Sequence, residues 1–268
     1  MFSGLKAKLK GTQTVAVVPM NGAIMSGGRL GRAFDDAAMA PLIEEAFRLP
    51  RLAAVALAIN CPGGSPAQSS MIGARIRRLS EEKQVPVAAF CADVAASGGY
   101  WLACAADEIF VDQTSIMGSI GVIAAGFGFH EAIEKLGIER RVHTAGESKS
   151  MWDPFKPEDE KDVERLMHLQ GVIHQRFIAW VKDRRGARLG DDPDLFTGAV
   201  WVGQEAVDRG LADATGHLVP VMRGRHGDDV AFRVIGRRRS IWERLGAPGV
   251  QHMLEESTLQ SLNARFGL

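Results

Sequence analysis

Apolar and polar positions along the first half of the chain follow two different periods, and this pattern predicts the fold class. Short runs rich in Val, Ile, Leu and Ala are typical of buried strands, and they occupy residues 14–18, 52–59, 85–91, 108–111 and 139–143. Residues 35–47 and 67–82 carry apolar side chains at helical spacing. Strands that alternate with helices pair mainly in parallel, with the helices outside the sheet. The pattern therefore predicts an α/β domain that extends to about residue 145.

The second half of the chain has a mainly helical pattern. Residues 157–185 are predicted to form one long helix, because Pro157 suits a first turn and the acidic residues after it favour a helix start. Gly, Asp and Pro residues at 186–193 mark a loop, and residues 203–208 indicate one more short helix. The remaining tail is only weakly amphipathic, and the chain shows no internal repeat.

Charge and composition exclude several classes of protein. The chain has 268 residues with 32 basic and 32 acidic side chains, so it lacks the basic surface on which nucleic-acid binding depends. Three cysteines without a CxxC pair predict reduced thiols. The longest apolar stretch, residues 120–129, is about half as long as a membrane-spanning helix. With no secretion signal, these features predict a cytoplasmic protein, and the basic N-terminus leaves contact with anionic lipid open.

Three segments rich in small residues follow predicted strands, where open α/β sheets build their sites. In residues 60–65, paired glycines allow a backbone N–H to approach a ligand, although a plain strand-to-helix turn is the alternative. In residues 95–101, Ser97 precedes a predicted helix, so its hydroxyl is either a nucleophile or an ordinary helix cap. Residues 117–122 add one further hydroxyl, that of Ser119.

A nucleophilic serine needs a base, and the sequence offers one weak candidate. None of the seven histidines lies in a segment that marks it as a partner. Lys149 follows the predicted strand 139–143, and a lysine acts as a base when burial disfavours its charged form. A solvated surface lysine is the alternative. No glycine-rich phosphate-binding motif and no zinc-ligand motif is present, so neither a cofactor nor a metal is predicted.

Four segments together resemble one family. They are INCPGGS at residues 59–65, DVAASGGYWLA at 93–103, SIMGSIGV at 115–122 and AGESK at 145–149. In this order and spacing they are similar to the signal peptide peptidase A family of serine peptidases, which use a Ser-Lys dyad. The resemblance extends with less definition to about residue 215. It implies a Clp protease/crotonase-like fold, a repeated β-β-α superhelix, with a C-terminal helical extension.

The resemblance also implies a role for each matching residue. Ser97 would be the nucleophile and Lys149 the general base that takes its proton. Ser119 would hydrogen-bond the lysine amine and orient it. The backbone N–H groups of Gly64 and Gly98 would form the oxyanion hole.

The sequence departs from the family pattern at three points. Cys61 replaces a common serine in the double-glycine loop, and Ser148 stands where an aromatic residue commonly precedes the lysine. Both changes spare the implied catalytic groups, but the second one bears on substrate preference. The N-terminal membrane anchor that is common in the family is not expected here, which favours a soluble or peripheral peptidase.

The resemblance predicts an ATP-independent serine endopeptidase that hydrolyses short or unfolded, mainly apolar peptides, such as cleaved signal peptides. Residues 1–215 would form the peptidase domain and residues 216–268 a C-terminal extension. A homo-oligomer, either a ring or a dome, is expected, with no nucleic-acid partner and no integral membrane segment. Two alternatives remain open: a crotonase-like acyl-CoA enzyme, which also uses two backbone N–H groups, and a non-catalytic scaffold.

Overall fold

The structure is a computed structural model that describes residues 12–27 and 33–236. These residues belong to two compact units. The first unit holds the described residues up to 120 and those from 178 onward, and the second holds residues 121–177.

Ten strands are present in the described residues, and all of them lie in the first unit. They are β1 (Thr14–Asn21), β2 (Ala23–Ile24), β3 (Ala33–Phe34), β4 (Leu52–Cys61), β5 (Val87–Ala96), β6 (Glu108–Val111), β7 (Ile116–Gly118), β8 (Val200–Val202), β9 (Ala214–Thr215) and β10 (Ala231–Val234).

Seven α-helices accompany the strands in the described residues. They are α1 (Asp36–Ala46), α2 (Pro66–Lys83), α3 (Gly98–Ala103), α4 (His130–Lys135), α5 (Glu160–Arg185), α6 (Gln204–Asp208) and α7 (Leu218–His226).

The main sheet is parallel along its whole path, in the order β10, β1, β4, β5, β6, β9. Strand β5 changes neighbour along its length: residues 88–91 pair with β6, and residues 94–96 pair with β7. Strand β8 runs antiparallel to β7. The predicted α/β class with parallel pairing is confirmed, and the carboxyl ends of β4, β5 and β7 meet at one edge.

Local sequence signals explain where the helices beside this edge begin. The Asp35 carboxylate accepts a hydrogen bond from Ala38 N–H and so caps α1. Ser65 caps α2 in the same way, with Pro66 at the first helical position, where its missing N–H costs nothing. On one side of the sheet, Phe90 of β5 and Phe110 of β6 stack with their ring centroids 5.1 Å apart. The helix caps and this stacking hold in place the helices and strands beside that edge.

Two sequence predictions need correction. Residues 139–143 form no strand. Residues 139–141 are charged and exposed, and Arg140 instead pairs with Asp153 at 2.8 Å, whereas a parallel strand needs apolar residues on both faces. The long helix begins at Glu160 rather than in the turn containing Pro157. The proposed division at residue 215 falls between β9 and α7, and it stays a prediction.

A buried ion pair ties the end of α5 to the sheet. The Arg185 side chain is 2% exposed, and it donates two hydrogen bonds to the Asp213 carboxylate, at 2.8 and 3.1 Å. Ile109 N–H donates to the same carboxylate at 2.7 Å. Burial acts to raise the pKa of Asp213, but these hydrogen bonds and the charges of Arg185 and Arg188 outweigh it, so the pKa lies below its ordinary value.

We expect Asp213→Asn to lower the free energy of unfolding by about 3 kcal/mol, because it leaves the Arg185 charge buried without its partner. Glu82→Gln, in the exposed pair with Arg78, is the control and should cost less than about 1 kcal/mol. Because folding lowers the pKa of Asp213, the stabilisation by its ion pair is fully present above the unfolded carboxyl pKa of about 4. It is lost as the pH falls from that value through the lower pKa of the folded protein. Urea titrations at pH 7 and pH 3 test this, and an equal cost at both values would contradict it.

Candidate active site

Ser97 links strand β5 to helix α3 in a backbone conformation that serine rarely adopts. Its φ is 52° and its ψ is −121°, and such strain clusters at functional sites. Ser97 N–H donates to the Gly118 carbonyl at 2.8 Å, which ties the residue to the end of β7. Its side chain makes no capping hydrogen bond with α3. The helix-cap alternative for Ser97 therefore does not describe what the hydroxyl does.

The double-glycine loop after β4 packs directly against Ser97. Gly63 and Gly64 have φ values of 111° and 143°, which only glycine adopts readily. A Cβ placed on Gly63 would lie 2.8 Å from the Ser97 Cβ and 2.9 Å from the Gly98 nitrogen. The loop is held by Ile24, whose N–H donates to the Gly63 carbonyl at 2.8 Å and whose carbonyl accepts from Ser65 N–H at 2.7 Å. A side chain on Gly63 would thus fill the space in which the loop and the segment that carries Ser97 meet.

Two backbone N–H groups beside Ser97 take no part in the hydrogen bonds between the double-glycine loop and Ile24. The bridge to Ile24 uses the Gly63 carbonyl and the Ser65 N–H, and not the Gly64 N–H. Gly98 is the first residue of α3, so its N–H has no acceptor within the helix. A Cβ placed on Gly98 would lie 3.3 Å from the Gly64 nitrogen. The Gly64 nitrogen therefore lies beside Gly98, and neighbouring backbone N–H groups are the kind of donors from which oxyanion holes are built.

Ser119 follows Gly118, whose carbonyl accepts the hydrogen bond from Ser97 N–H. Its side chain is buried, its φ is 52°, and its N–H donates to the Ala199 carbonyl at 2.7 Å. Gly118 needs to be glycine here, since its φ is 97° and a Cβ would lie 2.8 Å from the Trp201 ring. The fold thus places the buried Ser119 hydroxyl on the residue next to Gly118, whose carbonyl accepts the Ser97 N–H.

Lys149 lies in the second unit. It forms part of a 3-10 helix, Glu147–Ser150, and its side chain is exposed. Its N–H donates to the Gly146 carbonyl at 3.2 Å. Ser97 belongs to the first unit, so the pairing of Lys149 with Ser97 stays a prediction.

The profile of peptidase family S49 matches residues 80–224, more than half of the chain. The chain belongs to peptidase family S49. The match begins ahead of β5 and includes Ser97, Ser119 and Lys149, while the double-glycine loop precedes it. The resemblance to signal peptide peptidases that the sequence motifs indicate is confirmed by this match.

The relatives with curated names include proteases and proteins named as antiporters, and those described here are all longer than this chain. Two proteins of Brucella melitensis and Brucella abortus, named Na(+)/H(+) antiporter NhaA, are 48% identical over 237 residues, which cover 88% of this chain and 32% of theirs. Protease 4 of Salmonella typhi is 32% identical over 210 residues, 76% of this chain and 32% of its own. The chloroplastic serine protease SPPA of Arabidopsis thaliana is 33% identical over 169 residues, 62% of this chain and 24% of its own. The S49 chain therefore spans a third or less of the length of these relatives. The antiporter name belongs to those longer proteins as wholes and is not assigned to this chain.

Solved structures share the fold. Two mutants of the 1510-N membrane-bound stomatin-specific protease match with TM-scores of 0.53 and 0.54, at 15% and 14% identity. They cover 85% and 92% of this chain, and 100% and 99% of their own length. The second of them holds a substrate peptide. At this identity the likeness shows the fold alone, and it confirms the expected Clp protease/crotonase-like class.

Three further features of this S49 chain concern metal ligands, membrane-spanning helices and a buried thiol. Within residues 12–27 and 33–236, no three His, Cys, Asp or Glu side chains are grouped as metal ligands. No helix in the same ranges is long and apolar enough to cross a membrane. Burial raises the pKa of the Cys61 thiol, next to the double-glycine loop, to about 12, so this thiol stays protonated and is a poor nucleophile.

Sequence reasoning missed one residue of this region, Ser69. It lies in the first turn of α2, it is fully buried, and it packs against Gly98. The available signal is a small polar residue four positions after the helix cap, on the same side of α2 as the buried Ile72 and Ile76. Helical spacing identifies that side as buried, but it does not show which residue the hydroxyl meets.

Proposed function

We propose that this chain is an ATP-independent serine endopeptidase with Ser97 as nucleophile and Lys149 as general base. Its substrates would be short or unfolded, mainly apolar peptides, of which cleaved signal peptides are one kind. One observation carries the proposal: Ser97 holds a strained backbone conformation with its hydroxyl free of the helix cap, beside two unused N–H groups. Membership of a peptidase family and the names of two relatives, serine protease SPPA and Protease 4, support it.

In the proposed reaction, the Ser97 oxygen bonds to the peptide carbonyl carbon while the Lys149 amine takes the hydroxyl proton. The carbonyl oxygen becomes an oxyanion, which accepts hydrogen bonds from Gly64 and Gly98 N–H. The carbon–nitrogen bond then breaks, and Lys149 gives its proton to the leaving amine. Water attacks the acyl-enzyme with Lys149 again as base, which releases the acid and restores the Ser97 hydroxyl.

Ser119 would orient the base in this scheme. A neutral lysine amine has two N–H bonds and one lone pair at the end of a flexible stem, so a fixed acceptor for an N–H is needed to aim the lone pair. Ser119 supplies a buried hydroxyl at the segment that already holds Ser97 in place.

Lys149 must also be shielded from water in order to act as the base. We propose that a homo-oligomer, either a ring or a dome, shields it together with the bound peptide. A lysine becomes neutral near physiological pH only when burial disfavours its ammonium form. The second unit carries apolar surface that needs a partner: Phe127 is 80% exposed and Leu136 is 72% exposed. In residues 121–176 no apolar residue that the structure describes is buried, and exposed apolar surface of this kind marks an interaction site.

We expect Lys149→Ala to lower the rate of peptide hydrolysis about a hundredfold or more, since general-base catalysis contributes that much. Lys156→Ala is the matched control: this lysine is exposed in the same unit and hydrogen-bonds Ser150 at 3.0 Å. It should retain activity within about threefold, as a surface charge does. Cleavage of an unstructured peptide is followed by time-resolved mass spectrometry.

Equal activity in Lys149→Ala and Lys156→Ala would contradict the role of Lys149 as base. Sedimentation velocity of the wild type tests the assembly separately. Full Lys149-dependent activity from a particle with the 29.0 kDa mass of one chain would contradict the oligomer while leaving the base in place.

A further inference from the structure

The Ser69 hydroxyl makes a hydrogen bond that its helix does not need. Its Oγ donates to the Ser65 carbonyl at 2.9 Å. The same carbonyl already accepts the Ser69 N–H at 3.0 Å, the ordinary helical bond. Ser69 is 0% exposed, and burial of a hydroxyl is costly unless it forms a hydrogen bond. An alanine would satisfy the helix without that cost, so helix formation does not explain the hydroxyl.

The oxygen of Ser69 lies against the residue that follows the proposed nucleophile. A Cβ placed on Gly98 would lie 2.5 Å from Ser69 Oγ and 3.3 Å from the Gly64 nitrogen. The side of Gly98 on which a Cβ would lie is therefore packed against both the Ser69 hydroxyl and the double-glycine loop. At the same time, the hydrogen bond from Ser69 holds Ser65, the residue directly after Gly64.

We propose that Ser69 is a positioning residue that sets the separation of the Gly64 and Gly98 N–H groups; this inference rests on their proposed role as oxyanion donors. The Ile24 bridge holds the loop, and Ser69 connects the loop to α3, because it bonds to Ser65 and packs on Gly98. Oxyanion donors act only within about 2.7–3.1 Å of the developing charge. A shift of a fraction of an ångström between the two donors would thus weaken binding of the oxyanion and leave substrate binding unchanged.

The test compares Ser69→Ala with Ser80→Ala. Ser80 lies on the same helix, is 5% exposed, and donates its hydroxyl to the Val85 carbonyl at 2.8 Å. Each variant therefore removes one buried hydroxyl bonded to a backbone carbonyl, but only Ser69 packs on Gly98. We expect Ser69→Ala to lower kcat on a benzyloxycarbonyl-leucine p-nitrophenyl ester roughly tenfold with KM within about twofold. Ser80→Ala should leave both constants unchanged.

A pair of inhibitors separates positioning from a general structural loss. Benzyloxycarbonyl-Leu-Leu-leucinal reacts with a serine hydroxyl: the serine oxygen bonds to the aldehyde carbon, the hydroxyl proton passes to the Lys149 amine, the carbonyl π bond breaks, and the carbonyl oxygen becomes an oxyanion in the proposed hole. The matching leucinol binds without this step. Ser69→Ala should weaken the aldehyde roughly tenfold and leave the affinity for the alcohol unchanged. An equal change for both inhibitors, or the same change in Ser80→Ala, would overturn the proposal.

Ser69→Cys covers the case in which Ser69→Ala does not fold. The thiol fills the site and is a weaker donor, so the ratio of aldehyde to alcohol affinity should lie below that of the wild type. A wild-type ratio in Ser69→Cys would overturn the positioning role. Failure of the proposed function gives a different result, since hydrolysis of the ester would then persist in Ser97→Ala.

Discussion

Ser97→Ala is expected to reduce peptide hydrolysis by about 10⁴-fold or more, because removal of a serine nucleophile leaves only the contribution of the oxyanion hole and substrate binding. The hydroxyl makes no capping hydrogen bond with α3, so its loss leaves no partner unsatisfied there. Alanine faces the same strain at φ 52° as serine does. We therefore expect a melting temperature within about two degrees of the wild type, which separates lost chemistry from lost folding.

Two measurements check this result. A time-resolved mass-spectrometric digest of an unstructured peptide reports both the rate and the cleavage sites. A fluorophosphonate probe, which bonds to an activated serine oxygen, should label the wild type at residue 97 and leave Ser97→Ala unlabelled. Ser80→Ala is the control. It removes a buried hydroxyl near the C-terminal end of α2 and should be labelled at the wild-type rate. Full hydrolysis by Ser97→Ala would exclude the proposed mechanism.

Gly64→Ala is expected to lower the rate about a hundredfold to a thousandfold, the effect of losing one oxyanion donor. The new Cβ would overlap the Ile24 carbonyl oxygen and lie 2.8 Å from the Ile24 carbonyl carbon. These are backbone atoms, which cannot rotate away as a side chain would. The loop must therefore shift, and Gly64 N–H moves with it. Initial rates on the p-nitrophenyl ester measure the loss.

Gly198→Ala is the matched control for this substitution. Gly198 also has a positive φ, 91°, but a Cβ on it would meet nothing within 4 Å. It isolates the cost of placing alanine in that backbone conformation, about 1–2 kcal/mol of stability, from the displacement of the loop. Activity at the wild-type level in Gly64→Ala, measured below its melting temperature, would contradict the role of Gly64 as donor.

The sequence predicts this fold well where buried strands and capped helices are concerned. Residues 52–59 and 85–91 are predicted as strands, and β4 and β5 include most of them. The prediction fails at residues 139–143, because Val and a few neighbours suggest a strand while the charged side chains of 139–141 are exposed and no strand pairs with them. Helix α5 begins three residues later than Pro157 suggests, since proline is tolerated before a helix as well as in its first turn.

The sequence by itself determined the peptidase family and predicted which segments carry its chemistry. The order and spacing of the small-residue motifs indicate the peptidase family and single out Ser97. Only the tertiary structure decided that the Ser97 hydroxyl is free of the helix cap, that Gly63 packs against the Ser97 Cβ, and that Ser69 lies on Gly98. The reason is physical: strand and cap preferences act over a few neighbouring residues, whereas these contacts join segments about thirty residues apart through packing at one edge of the parallel sheet.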